Sequence, residues 1–192
     1  IDKKIFNKII NVIGSDLRLF STNHGFQKSL KSIIQLKKKI DITNEISKNN
    51  LNLIKQIYLT NKESDLIKAD VFIITVPTPI NDLNEPNLEP LKKATRTVGK
   101  IIKLRSHARL SSINKFTTPI IIYESTVFPG ATEDICVPIL EKFSGCKFNN
   151  LEDNKGFVCG YSPERINPGD KNRKNSDIIK VTSGSNKVTS EW

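Results

Sequence analysis

Two stretches of the chain are apolar without interruption. Val71-Phe72-Ile73-Ile74-Thr75-Val76 runs up to Pro77, and Ile120-Ile121-Ile122-Tyr123 runs up to Glu124-Ser125-Thr126. Neither alternates with polar residues, which is the pattern of strands covered on both faces within a parallel sheet. Shorter runs at Ile9–Ile13, Ile57-Tyr58-Leu59, Phe157-Val158-Cys159 and Ile178-Ile179-Lys180-Val181 predict further strands. Between them the period changes. From Leu88 to Leu104, the residues Leu91, Ala94, Val98, Ile101 and Ile102 recur at helical spacing, and Pro90 falls in the first turn, where its missing N–H does no harm. Gly130 to Phe143 carries Ile135, Ile139 and Leu140 in the same way, with Glu133 and Asp134 early, where a helix favours acids. Ser29 to Ile40 is a lysine-rich amphipathic stretch, and Glu63 to Lys68 has room for one or two helical turns. Strand and helix thus alternate, which predicts an α/β fold with a doubly wound, mostly parallel sheet in a single domain.

Open sheets of this kind bind ligands beyond the carboxyl ends of their strands. Three segments occupy those places. In Val76-Pro77-Thr78-Pro79-Ile80, prolines around a threonine hold the chain extended and turn backbone groups and one hydroxyl outward; alone, this is equally a rigid exit from a strand. In Tyr123-Glu124-Ser125-Thr126-Val127-Phe128-Pro129-Gly130-Ala131-Thr132, a strand ends in two hydroxyls just before a helix. Ser125 or Thr132 can cap that helix, or the segment can form a site for a phosphate, a nicotinamide or a catalytic water. In Tyr161-Ser162-Pro163-Glu164-Arg165-Ile166-Asn167-Pro168-Gly169-Asp170, a loop with four ionisable side chains follows a buried strand. It is a solvated connection, or it puts Glu164 into the cleft as a base or water-polarising group.

Composition narrows the setting. A chain of 192 residues suits one domain. Its net charge of +10 comes from 24 Lys and only 6 Arg, beside 27 Ile and 19 Asn, the residues that AT-rich codons supply. Specific nucleic-acid contacts lean on Arg and aromatics, so no nucleic-acid partner is expected. No apolar run approaches the roughly 18–20 residues of a membrane span, so no membrane association is expected either. Cys136, Cys146 and Cys159 are odd in number and contain no C-x-x-C, against a disulfide framework and against a metal site, and in favour of a reducing, cytoplasmic setting. Each is expected to pack as a small hydrophobe. With no methionine, the chain reads as a piece of a longer protein.

Together the motifs resemble the UDP-glucose/GDP-mannose dehydrogenase family, and most of all its UDP-N-acetyl-hexosamine 6-dehydrogenase branch. Lys68-Ala69-Asp70-Val71 through Pro79-Ile80, then Pro86-Asn87-Leu88-Glu89-Pro90-Leu91, are similar to that branch's strand, loop and next helix. Tyr123 to Glu133 and Gly160 to Lys171 resemble its two other signatures, and Ile179-Lys180-Val181-Thr182-Ser183-Gly184-Ser185 the end of its first domain. The likeness covers residues 36–186. It implies a Rossmann-type NAD-binding domain over residues 1–186, atypical in its first 30 residues, with 187–192 opening the family's central helix. It implies NAD as cofactor, a UDP-sugar as substrate, oxidation of the sugar's C6 alcohol to the uronate for a surface polysaccharide, and a homodimeric full-length protein. Carried over by matched position, Val76, Pro77 and Thr78 line the NAD site, and Ser125 and Thr126 approach its nicotinamide end. Thr126 also helps place the catalytic water, Glu164 acts as general base or water partner, and Tyr161, Arg165, Ile166 and Asn167 bear on the sugar.

The chain departs from the family in three places. The dinucleotide turn Gly-x-Gly-x-x-Gly is reduced to Gly14 in Val12-Ile13-Gly14-Ser15-Asp16-Leu17, although each glycine there has a steric task and Asp16 brings negative charge toward a pyrophosphate. Gln27 stands where an acid holds the adenine ribose. The family's cysteine nucleophile lies in a motif beyond this chain, so the chain alone is not expected to turn over substrate. The competing reading is a degenerate Rossmann-type relative that has lost the cofactor and serves as an interaction module.

Overall fold

The computed structural model describes residues 18–20, 34, 38, 40, 58–60, 62–107, 118–151, 155–163 and 181–191. The chain divides into two units, residues 1–66 with 173–177 and residues 67–172 with 178–192.

In the first unit Arg18–Phe20 (β1) and Tyr58–Thr60 (β2) pair in parallel. The second strand is the expected Ile57–Leu59 run displaced by one residue; the first, with two apolar residues, gave no pattern to read. Thr60, buried at the end of β2, donates from Oγ1 to the Asp65 carboxylate at 2.5 Å and accepts from the Lys62 N–H at 3.0 Å. That ties down a 3-10 turn, Glu63–Leu66, shorter than the two turns the sequence allows. Within the expected Ser29–Ile40 helix, Lys38 N–H donates to Ile34 O at 3.1 Å. The Ile9–Ile13 strand lies outside the described residues.

The second unit is built on Val71–Ile74 (β3), the helix Glu89–His107 (α1), Ile120–Tyr123 (β4), a π-helical turn Thr132–Cys136 running into the helix Val137–Ser144 (α2), and Lys147–Phe148 (β5). Gly156–Tyr161 (β6), Ser183–Gly184 (β7) and the short helix Lys187–Ser190 (α3) complete it. The sheet order is β3-β4-β6-β5, all parallel, with β7 antiparallel on β6. The register aligns Phe72 with Ile121 with Cys159, and Ile74 with Tyr123 with Tyr161.

Alternation along the strands sends each such row to one face. Both rows lie on the same face, the one that meets the helix α1 and the π turn. There Ile121, Tyr123, Phe157 and Cys159 pack among the buried Leu91, Ile101, Ile102 and Leu140. The opposite face carries Ile122 and Gly160, and a Cβ on Gly160 would touch Ile122 and Thr189 of α3. A short helix therefore also touches the second face, at Gly160. β4 and β6 are buried along nearly their whole length, as the uninterrupted runs predict, whereas β3 buries only Phe72 and Ile74.

Two helices meet more closely than side chains normally allow. A Cβ on Gly99 of α1 would come within 2.9 Å of Phe143 Cβ on α2. α2 ends at Gly145, whose φ of 74° no β-branched residue would adopt readily and whose N–H closes on Glu141 O at 3.0 Å. The expected helix over Gly130–Phe143 is thus two pieces. Val137 N–H reaches back five residues to Thr132 O, and Pro138, which has no N–H to give, sits at the start of the α-helical piece. The Arg105 guanidinium donates to Ala69 O at 3.1 Å and pairs with the Asp70 carboxylate, which fastens the end of α1 to the start of β3. The expected Ile178–Val181 strand lies outside the described residues except for Val181, which is exposed; just beyond it, Ser183–Gly184 forms a strand held by backbone bonds to β6.

A polar node lies inside this core. Tyr123 Oη and Thr95 Oγ1 are 3.2 Å apart, and Thr95 Oγ1 also donates to Leu91 O at 2.8 Å. Burial raises Tyr123 well above the ordinary phenol value, and likewise raises the thiols Cys136, Cys146 and Cys159, all three free and buried. The folded chain therefore retains protons that the unfolded chain releases, and its stability falls as pH climbs above about 8.5. At pH 8 Ellman's reagent should find no fast-reacting thiol in the native chain and three in guanidinium. A fast native thiol would contradict this packing. Gly99→Ala should lower the urea midpoint, because overpacking against Phe143, about 1–3 kcal/mol, outweighs a helix-propensity gain of about 1 kcal/mol.

Candidate functional site

The ladder between β3 and β4 ends with Glu124 N–H donating to Ile74 O at 2.9 Å. Beyond it the connection changes from backbone to side chain. Ser125 Oγ donates to Val76 O at 2.6 Å, and Thr78 Oγ1 donates to Thr126 O at 2.7 Å. These two bridges bring together four of the residues the sequence singles out, Val76, Thr78, Ser125 and Thr126, with Pro77 between the first two. Ser125 is buried, Val76 and Thr78 are half-buried, and Pro77 and Thr126 are exposed.

β6 brings in a third edge. Ser162 N–H continues its ladder, donating to Tyr123 O at 2.9 Å. Tyr161 Oη lies 3.5 Å from Val127 O, so the Tyr161 side chain reaches the same loop that carries Thr126. Gly14, Glu164, Arg165, Ile166 and Asn167 lie outside the described residues.

The expected capping role of Ser125 or Thr132 is not what the structure uses. The π turn is preceded by Ala131, with no side-chain cap bond, and the Ser125 hydroxyl is turned to Val76 instead. The physical reason is that the Val76 carbonyl, past the end of the ladder, takes its hydrogen bond from the Ser125 hydroxyl instead of from a ladder N–H.

A dinucleotide fits what the described residues offer at these ends. Val76, Pro77, Thr78, Ser125 and Thr126 are small and uncharged, so a flat ring can approach the backbone closely, and Thr126 is exposed. The acid in this stretch, Glu124, is buried at the end of β4. Sequence reasoning passed over one residue here. Ser162 Oγ is buried and is the one buried side-chain oxygen without a hydrogen-bond partner among the described residues. Its signal was its place, a hydroxyl one residue past a buried strand and two before Glu164.

Ser125→Ala should leave the Val76 carbonyl unpaired and cost about 1–3 kcal/mol in urea unfolding, whereas Thr78→Val, at a half-exposed bridge, should cost about 0.5–1.5 kcal/mol. Equal and negligible effects would mean that the bridges do not hold the strand ends.

Known proteins resemble this chain in sequence and in fold. The NAD binding domain model of the UDP-glucose/GDP-mannose dehydrogenase family matches residues 31–191. The chain is 48% identical over 161 residues to the UDP-N-acetyl-D-glucosamine 6-dehydrogenase of Pseudomonas aeruginosa, a match covering 84% of this chain and 34% of that protein. It is 49% identical over 162 residues to Protein CapL of Staphylococcus aureus, covering 83% and 33%. It thus spans about a third of the length of these relatives. Two solved structures show the same fold: NDP-N-acetyl-D-galactosaminuronic acid dehydrogenase from Methanosarcina mazei Go1, with TM-score 0.70 and 21% identity over 92% of this chain and 34% of that one, and a UDP-glucose dehydrogenase from Pyrobaculum islandicum, with TM-score 0.70 and 16% identity over 94% and 38%. The chain belongs to the UDP-glucose/GDP-mannose dehydrogenase family, within its NAD-binding domain.

Proposed function

We propose that the protein containing this domain oxidises the C6 alcohol of a UDP-N-acetyl-hexosamine to the carboxylate, with two NAD as successive hydride acceptors and a water supplying the second oxygen. The observation that carries the reading is the pair of hydroxyl bridges aligning Val76–Thr78 with Ser125–Thr126 at the carboxyl ends of β3 and β4. The hexosamine is supported by 41–49% identity to relatives, two of them named UDP-N-acetyl-D-glucosamine 6-dehydrogenase. CapL's name favours a product destined for a capsule polysaccharide.

In this reading Val76, Pro77 and Thr78 form one wall of the cofactor site, and Ser125 and Thr126 meet its nicotinamide end. NAD, when bound, supplies the acceptor for a hydride from the alcohol carbon. Thr126, with its accessible hydroxyl, orients a water, and Glu164 takes that water's proton as general base. Tyr161, Arg165, Ile166 and Asn167 bear on the sugar, and Gly14 marks what remains of the pyrophosphate turn. The nucleophile comes from the family's second half. We also read the full-length protein as a cytoplasmic homodimer, in a reducing compartment that keeps the three thiols free.

Calorimetry of NAD with the 192-residue chain tests the cofactor site. Binding in the micromolar to low-millimolar range, weakened in Thr126→Ala, is expected. No binding by a chain whose thermal transition is cooperative would leave the degenerate relative, fold retained and cofactor lost, as the better account. In the full-length protein, Glu164→Gln should lower kcat by about 10²- to 10⁴-fold with a smaller change in KM.

A further inference from the structure

The hydroxyls at the strand ends divide into two kinds. Ser125 Oγ donates to Val76 O, Thr78 Oγ1 to Thr126 O, and Ser183 Oγ lies 3.4 Å from Tyr161 O, donating to it. Their protons are used inside the protein, in holding β3, β4, β6 and β7 together. Ser162 differs. It is 4% exposed, and its Oγ has no partner. Its backbone is not the reason it sits there, because any residue would supply the N–H that reaches Tyr123 O.

Its position is set by the register. Tyr123 pairs with Tyr161, so one step further Ser162 stands beside Glu124, a buried carboxylate, at the end of the central strand. Both lie on the line where the segments bearing Val76, Thr126 and Tyr161 leave the sheet. A buried hydroxyl without a partner destabilises the chain unless something uses it. Alanine would fill the same backbone position without that penalty. A buried serine at a strand's carboxyl end whose hydroxyl no protein group uses, when its three neighbours are satisfied, is the arrangement of a group whose partner arrives with a ligand.

We propose that Ser162 is a positioning residue for the cofactor: its hydroxyl hydrogen-bonds the carboxamide of the nicotinamide ring, turning to it from its packed rotamer when the ring enters between the ends of β4 and β6. A carboxamide carries both a donor and an acceptor, and a serine hydroxyl can serve either. The turn is a single χ1 step between staggered wells. The bond fixes the ring against Thr126 on one side and the Tyr161–Pro163 segment on the other. This deepens the cofactor reading above and rests on it.

The test uses the full 192-residue chain in three forms: wild type, Ser162→Ala, and Ser162→Cys, which keeps the size but is a poor donor. Two quantities are read for each, the thermal midpoint without ligand and the dissociation constant for NADH by fluorescence titration. The proposal expects the midpoint of Ser162→Ala to be unchanged or raised, while NADH binds about five- to tenfold more weakly, with Ser162→Cys in the same direction. AMP, which has no carboxamide, should bind all three forms alike. A lowered midpoint with unchanged NADH affinity would make Ser162 a structural residue and overturn the proposal. A raised midpoint with unchanged affinity would make it an unused hydroxyl and overturn the proposal as well. If wild type itself binds no NADH, the cofactor reading fails and this one with it, whereas tight wild-type binding matched by both variants sinks this one alone.

Discussion

Three parallel strands ending on one line are what the rest of this domain depends on. Ile74, Tyr123 and Tyr161 stand level across β3, β4 and β6. The side chains of each strand alternate between faces, so a slip of one residue in either pairing would exchange the two faces of the sheet. Tyr123 would lose Thr95, and Cys159 would turn away from the packed side. The apolar rows on both faces therefore enforce the register far more strongly than the ladder bonds do. Because the register is enforced, the three segments that follow the strands must emerge side by side. The site is a consequence of core packing before it is a matter of chemistry.

The abundance of hydroxyls at those ends follows from the same geometry. Strands that part company leave carbonyls pointing into a low-dielectric gap, and water cannot serve the buried ones. A serine or threonine one or two residues past the ladder bridges the gap with a short side chain and adds no charge. Ser125 and Thr78 do this in opposite directions, one from β4 toward β3 and one from β3 toward β4. Each still keeps its lone pairs, so it can accept a hydrogen bond from a ligand while donating one to the protein. Architecture and binding do not compete for the same atom there, and at Ser162 alone among the buried hydroxyls described no architectural partner intervenes.

Most of this was legible in the sequence, for identifiable reasons. β4 and the helix α1 announced themselves because burial on both faces of a strand, or along one stripe of a helix, needs long apolar runs. The carboxyl-end segments were legible because prolines and hydroxyls interrupt those runs abruptly. What escaped reading is held by backbone rather than side-chain pattern. Ser183–Gly184 pairs with β6 without an apolar residue, β5 is two residues long, and the π turn depends on which carbonyl Val137 selects. The helix cap that Ser125 was one candidate for is absent for a different reason. A cap and an interstrand bridge use the same residue type one strand end before a helix, and only the position of Val76 O decides between them. Ser162 was hidden in plain view, as part of a motif whose charged residues drew the attention.

In the proposed reading the altered turn at Val12–Leu17 bears on cofactor affinity. Apart from Leu66, every buried apolar side chain among the described residues belongs to the second unit, between Phe72 and Cys159. The described core is thus made by residues of the sheet and its helices. Cofactor binding, by contrast, combines two grips. The pyrophosphate is held by backbone N–H groups at a glycine turn, where Ser15 and Leu17 add bulk and Asp16 adds repulsion. In the proposed reading the nicotinamide end meets the strand ends, where both hydroxyl bridges are formed. A weaker pyrophosphate grip would then lower affinity by the worth of its hydrogen bonds and charge. Cofactor affinity, and not the stability of the second unit's core, is therefore the quantity that separates a working domain from a retired one.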